Sequence, residues 1–163
     1  MGAKQDLEKF VRNLRRGTGA AASKANMRLI GERAIQLIVR RTQQGFGVSK
    51  TGGNQFKLKQ LSQNYIDYRN KNRNKLDPTT KAGTSNLTFS GQMLRSMTVK
   101  SVSNSVVTFG PNDRRRKGGL TNAALAEILK VNRPFNNLSA KEILVMVEFI
   151  DKILQLEIVN ENS

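Results

Sequence analysis

The sequence predicts an α+β fold: a small antiparallel β-sheet packed with a long N-terminal helix and a C-terminal helix, with an extended basic loop or arm between. Three observations predict it. Residues 24–44 carry apolar side chains at helical spacing behind Ser23. Residues 94–102 and 105–110 read as two short strands. Residues 139–159 open on a capping-box pattern and stay apolar around most of the helix. The length of 163 residues fits one domain. Its parts would be N-terminal helices over 3–44, a basic arm and short helix over 45–90, a β-hairpin over 91–112, and a basic loop, short helix and C-terminal helix over 113–163.

In chain order, a first helix is expected over 3–16. Leu7, Phe10, Val11 and Leu14 share one face, and Gly17 and Gly19 stop it. The second helix places Met27, Ile30, Ala34, Leu37 and Ile38 on one stripe that its arginines mostly avoid. From Gly45 the chain changes character. Glycines punctuate it, "LSQNYIDYRNK" can form a short helix capped by Ser62, and the rest reads as mobile arm. Leu94 to Val102 then alternate as a strand, and Ser103-Asn104 has the size of a two-residue hairpin link into the second strand. Thr121 or Asn122 can cap a short helix through Lys130. Arg133 before Pro134 favours extended chain. Ser139 caps the last helix with Glu142 at its third position. At about 100° per residue its apolar arc exceeds half the circumference, so it must be covered on more than one side. Either further strands lie in the loops or a neighbouring subunit covers the second side, and the neighbour is favoured, through Phe149, Ile150, Ile153 and Leu156.

Composition narrows the chemistry. The chain has no histidine and no cysteine, which excludes imidazole catalysis, thiolate metal sites and disulfides. The acids among the first 120 residues are Asp6, Glu8, Glu32, Asp67, Asp77 and Asp113, and none are spaced as a paired-carboxylate centre. Gly45, Gly47, Gly52 and Gly53 beside Lys50 do not match a phosphate-binding loop. No enzyme activity, cofactor or metal is therefore expected. No stretch approaches the roughly 20 apolar residues of a membrane span, so no membrane partner is expected.

The net charge is +16 and uneven. Residues 1–50 hold 11 basic and 3 acidic side chains, residues 51–120 hold 13 and 3, and residues 121–163 hold 4 and 6. Such a balance points to a polyanionic partner for the first 120 residues. The sharpest basic cluster is Arg114, Arg115, Arg116 and Lys117, suited to phosphates or an acidic neighbour rather than to reading bases. A second zone, Arg69, Lys71, Arg73 and Lys75, alternates with asparagines. Tyr65 and Tyr68 beside it can stack on bases, but packing against the body is the favoured role.

The order of these pieces resembles a family. "QLS" precedes a short basic helix and an arm. "LTFSGQMLRSM", a hairpin ending "VVTFGP", a basic loop, "TNAALAEILKVN", "RPFNNLS" and a final helix follow. This is similar to the neck and tail-completion (minor tail, virion-morphogenesis) proteins of tailed bacteriophages. Leu87, Ser90, Gly91 and Leu94 carry the first element; Gly110, Glu127, Arg133, Pro134 and Phe135 carry the others. The chain departs from the pattern in lacking a glycine soon after Glu127. The resemblance implies a structural protein of the virion, assembled in the host cytoplasm. Copies would form a ring joining the portal and adaptor side to the tail around the channel through which DNA leaves. Its partners would be itself, those neighbours and the passing DNA. The alternative is a basic nucleic-acid-binding protein that acts alone.

Overall fold

The computed structural model describes residues 23–49, 52–78, 80–87, 91–114 and 119–161. The helix expected over 3–16 and the residues Ser90, Arg115, Arg116 and Lys117 lie outside them. The described chain is α+β, with five α-helices and two separate two-stranded antiparallel sheets among the described residues.

The first helix, α1, spans Lys24–Gln43. Ser23 caps it as expected, its Oγ accepting from the Asn26 amide at 3.1 Å. The predicted stripe faces inward, with Met27, Ala34 and Ile38 buried. Gly31 sits on that face for a steric reason. A β-carbon there would lie 2.6 Å from Val107 Cγ2 and 2.9 Å from Val99 Cγ2, so the second sheet rests directly on the helix backbone.

That sheet pairs β3, Met97–Val102, with β4, Val107–Pro111. Two expectations need correction here. Leu94 and Arg95 belong to a one-turn helix, α3, over Gln92–Arg95, and not to the strand. Alternation had placed them there, but a helical turn lets the adjacent Met93 and Leu94 both point into the core, which a strand forbids. The hairpin link is also longer than two residues. Val102 pairs with Val107, and Ser103 closes the four-residue loop by donating its amide to the Val106 carbonyl at 2.8 Å.

The described residues of the segment read as an extended arm include regular structure. A hairpin joins β1, Phe46–Val48, to β2, Gln55–Lys57. A second helix, α2, covers Gln63–Lys71, and a 3-10 turn covers Arg73–Lys75. The further strands considered as one cover for the last helix thus exist. The hairpin loop meets the start of that helix, where the Ala140 amide donates to Gly53 O at 2.9 Å and Gln55 Nε2 to Ser139 Oγ at 3.1 Å.

Thr121 is the cap of α4, Asn122–Asn132, with its Oγ1 accepting from the Ala124 amide at 3.0 Å. The last helix, α5, runs Ala140–Glu161 behind the predicted capping box. The Ser139 amide and hydroxyl both donate to Glu142 Oε2, at 2.7 and 2.8 Å. Arg41 reaches the same carboxylate, and Arg33 lies over the Phe149 ring, 5.9 Å from its centroid. Those two crossings fix α1 and α5 as antiparallel neighbours. The core gathers Ile38, Met93, Leu94, Ala126 and Phe135.

One consequence corrects the interface expected on α5. Ile150 is only 3% exposed within its own chain, so it is core and not subunit surface. Phe149 and Ile153 are half-buried, and of the four residues only Leu156 is open, at 65%. The helix hides more of its arc inside the protomer than an amphipathic count implies, because α1 covers one side and the β1–β2 loop reaches its first turn. Ile150→Glu is expected to destabilise the protomer by about 4 kcal/mol or more, since it buries an unpaired charge. Leu156→Glu should change stability by less than about 0.5 kcal/mol. Urea titrations followed by circular dichroism measure both.

Candidate binding groove

A groove of about 670 Å³ opens between α2, residues 85–87 and 91–93, and α4. That volume lies in the range of ligand and peptide sites, about 300–1,000 Å³. Each wall follows from local spacing. On α2, Tyr65 and Tyr68 are three residues apart and Arg69 is four from Tyr65, so all three share a face. On α4, Leu125 and Leu129 stand four residues apart, and Arg133, at the C-cap of the helix, follows four residues on. Leu61, Leu87 and Met93 complete an apolar floor.

The tyrosines do not pack into the body. Their rings stack on each other, with centroids 6.1 Å apart and planes 12° apart, and stand 40% and 50% exposed at the rim. The Arg69 guanidinium lies 5.8 Å from the Tyr65 centroid.

Arg69 itself overturns an expectation. It was read as a partner-facing cation, yet it is 2% exposed. Its Nη1 donates to the carbonyls of Ala82 at 3.0 Å and Thr84 at 2.7 Å, and its Nη2 to Asn86 Oδ1 at 3.4 Å. Asn86 in turn donates to Gln43 O at 3.3 Å and Thr80 Oγ1 at 3.2 Å. The arginine thereby ties the loop that follows the 3-10 turn to the helices, which is why a basic, glycine-spotted segment has a fixed path. Burial pulls the Arg69 guanidinium below its ordinary pKa; the nearby Tyr65 opposes that shift and Arg133 adds to it. The remaining basic residues of that zone, Lys71, Arg73 and Lys75, are exposed as expected, and so is Arg114.

The groove is cationic by omission as well as by content. No acidic side chain lines it among the described residues. The Nε atoms of Arg69 and Arg133 are buried without a hydrogen-bond partner among the described residues. Leu87 adopts a left-handed backbone conformation, φ 55°, which costs an ordinary residue about 1–2 kcal/mol. Gly91, at φ 65°, begins α3 at the groove's edge. A β-carbon there would collide with Asp77 Oδ2 and come within 3.0 Å of Arg95, where the Asp77–Arg95 ion pair closes at 2.6 Å. Glycine is required because the chain crosses this pair at contact distance.

The other motif residues take structural posts. Leu94 and Phe135 are core, and the Pro134 carbonyl accepts from the Val48 amide at 3.1 Å. Glu127 pairs on the surface with Lys130 at 2.7 Å. Gly110 lies in β4. Among the described residues of the motif set, Leu87, Gly91 and Arg133 reach the groove. Sequence reasoning did not assemble the groove, because its walls come from three segments. The one available signal was the shared face of Leu61, Tyr65 and Tyr68.

Among the described residues, no group of three or more acidic side chains stands ready to hold a metal ion. No described helix is long and apolar enough to cross a membrane. No family model matches the chain, and no curated protein or solved structure matches it.

Arg69→Met keeps the aliphatic stem and strands the Ala82 and Thr84 carbonyls. It should cost about 2–4 kcal/mol. Lys71→Met, two residues on and exposed, should cost less than about 0.5 kcal/mol. Denaturant midpoints separate the two, and limited proteolysis should cut the Arg69 variant first between residues 76 and 87.

Proposed function

We propose that the chain is a non-catalytic structural component of the head–tail neck of a tailed bacteriophage. Copies close into a ring that joins the portal and adaptor side to the tail around the DNA exit channel. The observation that carries this reading is the apolar surface left open on two helices. Ile128 and Val131 on α4 and Leu144 and Leu156 on α5 are each between 56% and 66% exposed. A protomer at +16 repels its own copies, so apolar contact is the available force for assembly. The motif order from "QLS" to "RPFNNLS" supplies the virion context. In such a ring the exposed Lys71, Arg73, Lys75 and Arg114 meet DNA or acidic neighbours.

The second reading, a nucleic-acid-binding protein acting alone, is favoured by the exposed Tyr65–Tyr68 stack beside Lys71 and Arg73. Native mass spectrometry and electron microscopy of the purified chain, alone and with portal and adaptor proteins, decide between them. The neck reading expects a discrete closed multimer in at least one of these conditions. A monomer in both, with DNA affinity falling steeply as salt rises, overturns it in favour of the second.

A further inference from the structure

The chain carries two faces that fit one another. One is the groove, apolar on its floor and cationic at Arg133, with no acid among its described lining. The other is the outward stripe of α5. Leu144, Glu148, Asp151 and Gln155 stand at i, i+4, i+7 and i+11, and all four are exposed. Acids are scarce in this protein, and most are already engaged. Glu32 pairs with Arg28, Asp77 with Arg95, Asp113 with Lys100, Glu127 with Lys130 and Glu142 with Arg41, while Asp67 accepts from Gln63. Of the carboxylates whose side chains are described, Glu148 and Asp151 alone have no such partner. They follow Leu144, which is 66% exposed, one and two turns further along the helix.

We propose that the Leu144–Glu148–Asp151 face of one copy docks in the groove of the next, with Leu144 against the floor at Leu129 and the two carboxylates at Arg133. The interface is heterologous, because two different surfaces meet. Such contacts propagate head to tail and close into a ring when the rotation allows it. The inference rests on the ring reading and specifies how that ring is joined. Lys141 and Lys152 are exposed beside this stripe, so the local pairing of Glu148 and Asp151 with Arg133, and not a net acidic face, would offset part of the repulsion between copies that each carry +16.

The test uses charge reversal on the full chain. Arg133→Glu alone, and Glu148→Lys with Asp151→Lys together, should each weaken assembly on the order of 30-fold or more, as loss of a desolvated charge pair does. Mixing the two variants should restore assembly, because each then offers the other a complementary face, and the restored particle should contain both in equal number. Native mass spectrometry reads stoichiometry, and circular dichroism checks that each variant is folded. Glu148 and Asp151 are exposed, so their reversal does not threaten the fold. If Arg133→Glu fails to fold, the α5 reversal with Leu144→Ser carries the test, with loss of assembly expected. Assembly that survives the reversals overturns this interface and leaves the ring reading standing. So does assembly lost in both variants and not recovered on mixing. An unmodified chain that never multimerises, even beside portal and adaptor proteins, overturns both.

Discussion

One buried cation organises the molecule. Arg41, at the end of α1, is 3% exposed, and its guanidinium meets Glu142 and the carbonyls of Phe135 and Asn137. Burial pulls its pKa below the ordinary value, and Glu142 works against that shift. Two parts of the chain far apart in sequence are joined there: the C-terminal end of α1, and the turn between α4 and α5 together with the first turn of α5. The same Glu142 oxygen accepts from Ser139, so the helix cap and the ion pair are one network. Replacing such a pair by apolar groups can be neutral, whereas removing one partner costs about 3–5 kcal/mol. What the network contributes is therefore position more than stability. It sets the register of α5 against α1 and the path of residues 133–139. Arg133, at the head of that path, is held at the groove by the same tie.

Much of this was legible in the sequence where the signal is local. Ser23, Thr121 and Ser139 each lie where a side-chain oxygen followed by helical periodicity marks a start, and all three serve as caps. Helix periodicity found α1 because one stripe does its packing. The misses share a different cause. β1 and β2 are three residues each, too short for alternation to register. Arg69 looked like one more cation in an asparagine-rich run, since its partners at 82, 84 and 86 are backbone carbonyls and an amide. No composition rule reveals a carbonyl that awaits a donor. Leu94 fitted a strand only because an apolar residue in a one-turn helix and in a strand look alike over so short a span.

The α5 arc shows how a correct local reading can mislead about its surroundings. The helix is apolar around much of its circumference, as counted. The count cannot say which neighbour covers which side. Within one protomer α1 takes Phe149 and the Arg41–Glu142 side, and Ile150 is already core. What remains outside among the described side chains is a narrower strip whose apolar members are Leu144 and Leu156, set among Lys141, Glu148, Asp151, Lys152 and Gln155 rather than more leucine. A strip of that mixed kind favours a partner surface that is itself mixed.

Charge then restricts what such a partner can be. Hydrophobic contact alone is indifferent to identity, whereas an unpaired carboxylate buried at an interface needs a cation and excludes an acidic surface. In the groove Arg133 is the cation such a partner would meet, two residues from the Phe135 carbonyl that Arg41 holds, whereas Arg69 is buried and engaged by its own carbonyls. In the proposed ring the buried network at Arg41 would bear on assembly without touching any partner. It holds the turn carrying Arg133 and the start of the helix carrying Glu148 in one fixed relation, so the angle between successive copies would follow from a contact made inside each one.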